Sequence, residues 1–265
     1  MRETWDRRIR RAEELAAADS PAAALLVCYA RLLRNQKAVF DALNACRPSG
    51  SLDRDLTLMS KPVSALLRDV AANGPEPLAN QARTFDLESL RHSVLAHWRE
   101  PSDQQFFPKA ILQPYAAWLA ESGLAPIDRV PTPLGGGNAR QNSNRCLFCG
   151  GAPQLSILDP VSATSGDGSG RRLLCATCLS TWPFRRVLCA HCGEEDEHKL
   201  AYFHSPDYDH LRIDACESCR RYLKSVDLGR FGLAVPLVDE VAGASLDIWA
   251  RDHGYEKIEL NLVGL

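Results

Sequence analysis

Four Cys-x-x-Cys pairs stand close together in the C-terminal half of this chain: Cys146/Cys149, Cys175/Cys178, Cys189/Cys192 and Cys216/Cys219. They hold all but two of its 10 cysteines. A Cys-x-x-Cys turn aims two sulfurs at one point, and two such turns make a tetrahedral S4 site for zinc or iron. A chain with this pattern is constrained to bring its turns together in pairs, and it has enough of them for two sites.

The residues beside the turns suggest which pairs meet. Gly150 and Gly193 follow the first and third pairs, where a ligand turn commonly needs the positive φ that glycine adopts without steric cost. Leu179 and Arg220 follow the second and fourth. The alternation reads as an opening and a closing knuckle, twice over. It groups Cys146, Cys149, Cys175 and Cys178 around one metal, and Cys189, Cys192, Cys216 and Cys219 around a second. Each gap has room for a hairpin, and residues 165–170, Ser-Gly-Asp-Gly-Ser-Gly, read as the tip of the first. Arg172 to Cys175 corresponds to Arg212 to Cys216, and an aromatic residue follows each closing knuckle, Trp182 and Tyr222, which suggests two tandem ribbons.

Disulfides are not expected, because the charged start of the chain carries no apolar signal segment and Cys-x-x-Cys in a reducing compartment points to metal or thiol redox chemistry. Cys28 and Cys46 stand singly in an apolar helical pattern and read as packed small hydrophobes. His191, between Cys189 and Cys192, is expected to point away from the metal.

The net charge of −2, the 45% hydrophobic content and the lack of an apolar run near the ~20 residues of a membrane span predict a soluble, intracellular protein without membrane insertion. Residues 1–124 read as a bundle of four to six helices. Within residues 22–46, Leu25, Leu26, Tyr29, Leu32, Leu33, Val39, Phe40 and Leu43 recur at spacings of three and four and predict one buried face. Shorter helices are predicted over 62–72, over 87–99 behind a cap at Asp86, and over 110–122, with Pro114 near the first turn of the last or marking its start. The arginine-rich start, Arg2, Arg7, Arg8, Arg10 and Arg11, is interspersed with Glu3, Asp6, Glu13 and Glu14 and reads as a solvated helix face. The proline- and glycine-rich residues 125–145 read as a linker. Residues 235–250 return to a helical period, with Leu237, Val238, Val241, Leu246 and Trp249 as the buried face. The predicted class is α+β, mainly α: a helical domain (1–124), a linker (125–145), a first metal ribbon (146–186), and a second ribbon with a C-terminal helix (187–265).

No catalytic motif is legible: there is no P-loop, nucleophile elbow, dinucleotide fingerprint or His-Glu-x-x-His. A closed S4 site has no open position for a substrate, so no enzyme is expected. His204, Asp207, Tyr208, Asp209 and His210 read as a polar hairpin tip. Residues 146–230 carry ten Lys/Arg against eleven Asp/Glu, with an acidic run over 194–197, and this argues against the basic surface that nucleic acid requires. Small ribbons have little core of their own, which a structural Zn²⁺ compensates with an apparent ~10–16 kcal/mol. Iron in the same cage would make a rubredoxin-like one-electron centre, and ligand type does not separate the two metals.

The combination resembles the FdhE family. The resemblance is carried by Cys175-Ala-Thr-Cys178-Leu-Ser-Thr-Trp182, Arg186-Val-Leu-Cys189-Ala-His-Cys192 and Cys216-Glu-Ser-Cys219-Arg-Arg-Tyr222-Leu223-Lys224, in that order, and by the final helix with its Gly254-Tyr255 tail. It implies a cytoplasmic, non-enzymatic maturation factor for respiratory formate dehydrogenase that binds the catalytic subunit through a protein with rubredoxin-like modules. The eight knuckle cysteines would then be the metal ligands, with two ions bound, iron favoured and zinc compatible. On this reading, replacing Cys175 and Cys178 by serine should abolish maturation and leave the N-terminal helices folded. The apolar face of the bundle leaves a homodimer open. The rival functions are a rubredoxin-like electron carrier and a zinc-ribbon nucleic-acid-binding protein.

Overall fold

The computed structural model describes residues 4–18, 20–100, 105–125, 143–160 and 170–265. The glycine- and proline-rich part of the predicted linker and most of the predicted hairpin tip, residues 126–142 and 161–169, lie outside them, as do Arg2 and Glu3.

The N-terminal part is helical: α1 (Trp5–Ala16), α2 (Ala23–Asn44), the single turn α3 (Leu52–Asp55), α4 (Ser60–Asn73), α5 (Glu76–Thr84), α6 (Leu87–Arg99) and α7 (Phe106–Glu121). In α2 the three-and-four spacing buries Leu26, Tyr29, Leu32, Leu33, Val39, Phe40 and Leu43, as the sequence predicts, with Leu25 only half-buried. Asp86 caps α6 by accepting from the backbone N–H groups of Glu88 and Ser89.

Two cysteines correct the sequence reading: Cys28 and Cys46 are exposed rather than packed. Cys28 borders an apolar groove of about 500 Å³ between α2, α4 and residues 260–264, so an apolar stripe of α2 faces a groove instead of the core. Cys46 lies just beyond the end of α2, its Sγ 3.6 Å from the carbonyl of Ala42.

Helix α7 begins four residues earlier than predicted and holds Pro114 in its interior. An interior proline leaves the carbonyl four residues back without its helical donor. That carbonyl belongs to Ala110, and it accepts instead from Gln36 Nε2 of α2 at 2.9 Å. Residues Phe107 to Leu119 of α7 are all buried, so the helix is covered on every side.

The C-terminal part is a single sheet: β1 (Pro153–Leu158), β2 (Arg171–Cys175), β3 (Thr181–Phe184), β4 (Leu200–His204), β5 (Leu211–Cys216), β6 (Arg221–Asp227) and the short β7 (Glu256–Lys257). The order is β3-β2-β1-β6-β5-β4, with β7 beside β6. Two antiparallel three-stranded ribbons meet where β1 runs parallel to β6, Leu155 opposite Lys224 through Leu158 opposite Asp227. The predicted repeat is therefore a repeat across one sheet, with β2 and β5 entering the two closing knuckles at Cys175 and Cys216.

The predicted C-terminal helix is two helices, α8 (Pro236–Ala242) and α9 (Ala244–Asp252). They break at Gly243, where a Cβ would stand 2.6 Å from Leu211 Cδ1. Leu237, Val238, Val241 and Leu246 are buried as expected, and Trp249 is half-buried against Phe203. Under these helices Lys224 and Lys257 meet Glu240 and Asp247, all four buried. Burial alone would lower the Lys257 pKa and raise that of Asp247, but the opposite charges win, so the lysine is raised and the aspartate lowered. The network ties β6 and the C-terminal residues to α8 and α9.

The arginine-rich face of α1 is not simply solvated. Arg11 grips Asp239 of α8 with two hydrogen bonds, 2.6 and 3.1 Å, and Arg8 is buried over Trp5. One hydrophobic core runs from Trp5 through α7 into the first ribbon and on to Leu262. No helix among the described residues is long and apolar enough to cross a membrane.

Candidate metal centres

All four knuckles share one backbone turn. The N–H after the second cysteine donates to the carbonyl of the first cysteine: Gly150 to Cys146 at 2.9 Å, Leu179 to Cys175 at 3.2 Å, Gly193 to Cys189 at 3.1 Å and Arg220 to Cys216 at 2.9 Å. In each turn that donor residue has positive φ, 71° and 79° at the two glycines and 57° and 56° at Leu179 and Arg220. The opening and closing knuckles thus differ in residue but not in conformation. Backbone N–H groups of Phe148, Thr177 and His191 also point at Cys146, Cys175 and Cys189 Sγ, at 3.3 to 3.4 Å.

These turns bring together the sulfurs that the sequence pairs. Cys146, Cys149, Cys175 and Cys178 form one group and Cys189, Cys192, Cys216 and Cys219 the other, each with its ligand atoms within 4.8 Å of one another. A metal bonded at about 2.3 Å to four tetrahedral sulfurs sets them about 3.8 Å apart. The sulfurs approach to 3.5 Å in the first group (Cys146 to Cys178, Cys149 to Cys175) and 3.7 Å in the second (Cys189 to Cys219, Cys192 to Cys216). The ionisation of the thiols fits the same donor set. Hydrogen bonds from Cys149, Cys175 and Cys178 hold Cys146 far below the usual thiol range, while burial pushes Cys175 and Cys178 far above it. Four thiols crowded at one point are an arrangement that a dication would relieve by displacing their protons.

The first group is sealed on every side. Its four cysteines are part of the main core, and Gln113 of α7 donates to the carbonyl of Ala176 inside the second knuckle at 2.8 Å. Trp182 Nε1 donates to the carbonyl of Ser143 at 2.8 Å and fixes the approach to Cys146. In the second group Cys192 is exposed and Cys219 half-buried. His191 is not among the clustered ligands, in line with the sequence reading.

A family model described as "FdhE, C-terminal domain" matches residues 187–263, the span that holds the second group and α8 and α9. A protein named "Protein FdhE homolog" from Aquifex aeolicus is 38% identical over 121 residues, 46% of this chain but only 42% of that relative. One of the same name from Haemophilus influenzae is 24% identical along 97% of this chain and 87% of its own length. The C-terminal part of the chain is thus similar to the C-terminal domain of the FdhE family. The crystal structure of the FdhE protein from Pseudomonas aeruginosa matches 99% of this chain and 97% of its own, with a TM-score of 0.72 and 24% identity, and so shares its fold.

Residues 205–210, read as a polar hairpin tip, join β4 to β5, and His210 reaches Asp239 at 2.9 Å. Sequence reasoning missed Arg171. Buried at the start of β2, it donates to Ser156 Oγ and to the carbonyls of Arg185, Arg186 and Leu188, and so shapes the entry into the third knuckle. Its adjacency to Arg172 in an Arg-Arg pair gives no sign of which side chain turns inward. Gln113 was missed too, although a lone amide in an apolar helical run was its one legible signal.

Proposed function

We propose that this chain is an accessory factor for the maturation of formate dehydrogenase, acting in the cytoplasm and not as an enzyme. It binds the immature catalytic subunit and carries two metal ions, iron for preference and zinc as the alternative. Cys146, Cys149, Cys175 and Cys178 hold one ion, and Cys189, Cys192, Cys216 and Cys219 the other. Functionally the chain divides into a helical layer (1–124), a first ribbon (146–186) and a second ribbon with the C-terminal helices (187–265). The observation that carries this reading is the pair of four-sulfur groups in a chain that shares the fold of an FdhE crystal structure. Four protein ligands leave no coordination position for a substrate, which suits binding and redox sensing rather than turnover.

The test is an anaerobic pull-down of the tagged chain from its host grown with formate dehydrogenase induced, with metal content and visible spectrum taken on the same eluate. Co-purification of the catalytic subunit is expected, with an iron–thiolate spectrum if the role is redox. Two zinc ions with bound nucleic acid and no such subunit would overturn the proposal. The exposure of Cys192 also favours an electron carrier, which would instead shuttle electrons between added redox proteins without retaining a subunit.

A further inference from the structure

The two four-cysteine groups sit in unlike surroundings. Cys146, Cys149, Cys175 and Cys178 are at most 3% exposed and belong to the core that runs from α1 to the tail. A Cβ placed on Gly151 would stand 2.9 Å from Cys175 Sγ and 3.3 Å from Cys149 Sγ, so protein packs directly against those sulfurs. The second group lies outside both apolar clusters. Cys192 is exposed, and a Cβ on the neighbouring Gly193 would meet nothing within 4 Å. A cleft of about 480 Å³ with a mixed polar and apolar lining, Arg171, Arg212, Asp214 and Leu223 among it, also borders Cys189 and Cys216.

We infer that the two groups differ in kind: the first is a permanent staple of the core, and the second is an exchangeable soft-metal site in which Cys192 is the ligand that gives way to an incoming thiolate. This rests on the proposal that both groups hold metal. Ligand exchange needs room for the incoming sulfur and a ligand whose departure disturbs little packing, and only the second group has both. The step is a substitution without electron transfer: the bond to Cys192 breaks, a bond to the incoming thiolate forms, and Cys192 takes a proton from water. The partner chemistry is accordingly a thiol or thiolate-rich segment, which the second group can meet without unfolding the first.

The experiment uses the full chain with the exposed Cys28 and Cys46 replaced by alanine, loaded with zinc and challenged with a chromogenic chelator. One equivalent should leave faster than the other by roughly ten-fold or more, the range over which losing the shell around a site weakens metal binding. Dithiothreitol should speed the fast phase alone, and Cys192→Ser should change that phase and spare the slow one. Alkylation of the loaded chain with iodoacetamide, read by peptide mass spectrometry, should label Cys192 first, which decides the matter if the serine variant fails to fold. Release of both equivalents at one rate, or labelling of the first group as early as Cys192, would overturn the inference while leaving the metal assignment intact. Fewer than two zinc ions per chain would overturn the metal assignment itself, and this inference with it.

Discussion

Gln113, in the middle of α7, donates its side-chain amide to the backbone carbonyl of Ala176, between the two cysteines of the second knuckle. Both residues are buried, and Gln113 Oε1 in turn accepts from Gln36 of α2 at 3.1 Å. A line of amides therefore links two helices to the first four-sulfur group. Gln113→Leu keeps the volume and removes the donor, leaving a buried carbonyl unpaired at a cost of about 1–3 kcal/mol. Guanidinium denaturation of the metal-loaded protein should show that loss, and release of metal from the first group should quicken. An unchanged denaturation midpoint would mean that water takes the place of the amide.

Gly151 and Gly193 allow a comparison of two alanine substitutions with different consequences. At Gly193 a Cβ meets open space, so Gly193→Ala costs only the positive-φ strain of about 1 kcal/mol and should leave both metals bound. At Gly151 the new Cβ would press on Thr177 Oγ1 at 2.8 Å and on two sulfurs of the first group. Gly151→Ala should therefore lower the metal content of the purified protein from two toward one, although it touches no ligand. Metal analysis of the two variants side by side decides this.

The parts of the fold that the sequence made legible are those with a local signature: the knuckles, the apolar period of α2 and the cap at Asp86. Contacts between distant residues have none. Nothing near Arg11 announces Asp239, and nothing in β1 announces its parallel pairing with β6, yet these join the helices and both ribbons. Pro114 misled the placement of α7 because its compensation comes from Gln36, far away in sequence. The apolar positions near Cys28 misled for the opposite reason, since periodicity does not distinguish a face in the core from a face along a groove. The shared core also changes the expectation for Cys175 and Cys178. Replacing both by serine should loosen the N-terminal helices as well, lowering the thermal midpoint of the helical circular-dichroism signal instead of leaving it unchanged.

Asp239 joins three elements: Arg11 of α1, His210 of the β4–β5 loop and the backbone N–H of Val235. Burial is the largest single influence and raises its pKa, but the hydrogen bonds from His210, Arg11 and Val235 together outweigh it, and the net shift is downward. A carboxylate with a lowered folded pKa stabilises the fold above its unfolded value of about 3.9, and that contribution is lost as pH falls through the folded pKa. Asp239→Asn should cost on the order of 2 kcal/mol at neutral pH. The gap in thermal midpoint between variant and parent should close as the pH is taken below about 4. A gap that stayed constant into acid would assign the effect to packing rather than charge.

Arg220 holds positive φ without being glycine, and its side chain shows why the position tolerates that strain. The guanidinium lies 3.9 Å from the centre of the Tyr255 ring, donates to the carbonyl of His253 at 2.7 Å and pairs with Glu217 two residues before Cys219. It thus fastens the segment after α9 to the fourth knuckle. Arg220→Ala loses this clamp and keeps the backbone strain, whereas Arg220→Gly loses the clamp and relieves the strain. The glycine variant should be the more stable of the two by about 1 kcal/mol, the cost of a Cβ in the left-handed region, and both should fall below the parent. Urea denaturation of the three proteins at saturating metal measures the two differences separately. Equal stability of the alanine and glycine variants would mean that the knuckle relaxes out of its left-handed turn once the side chain is gone.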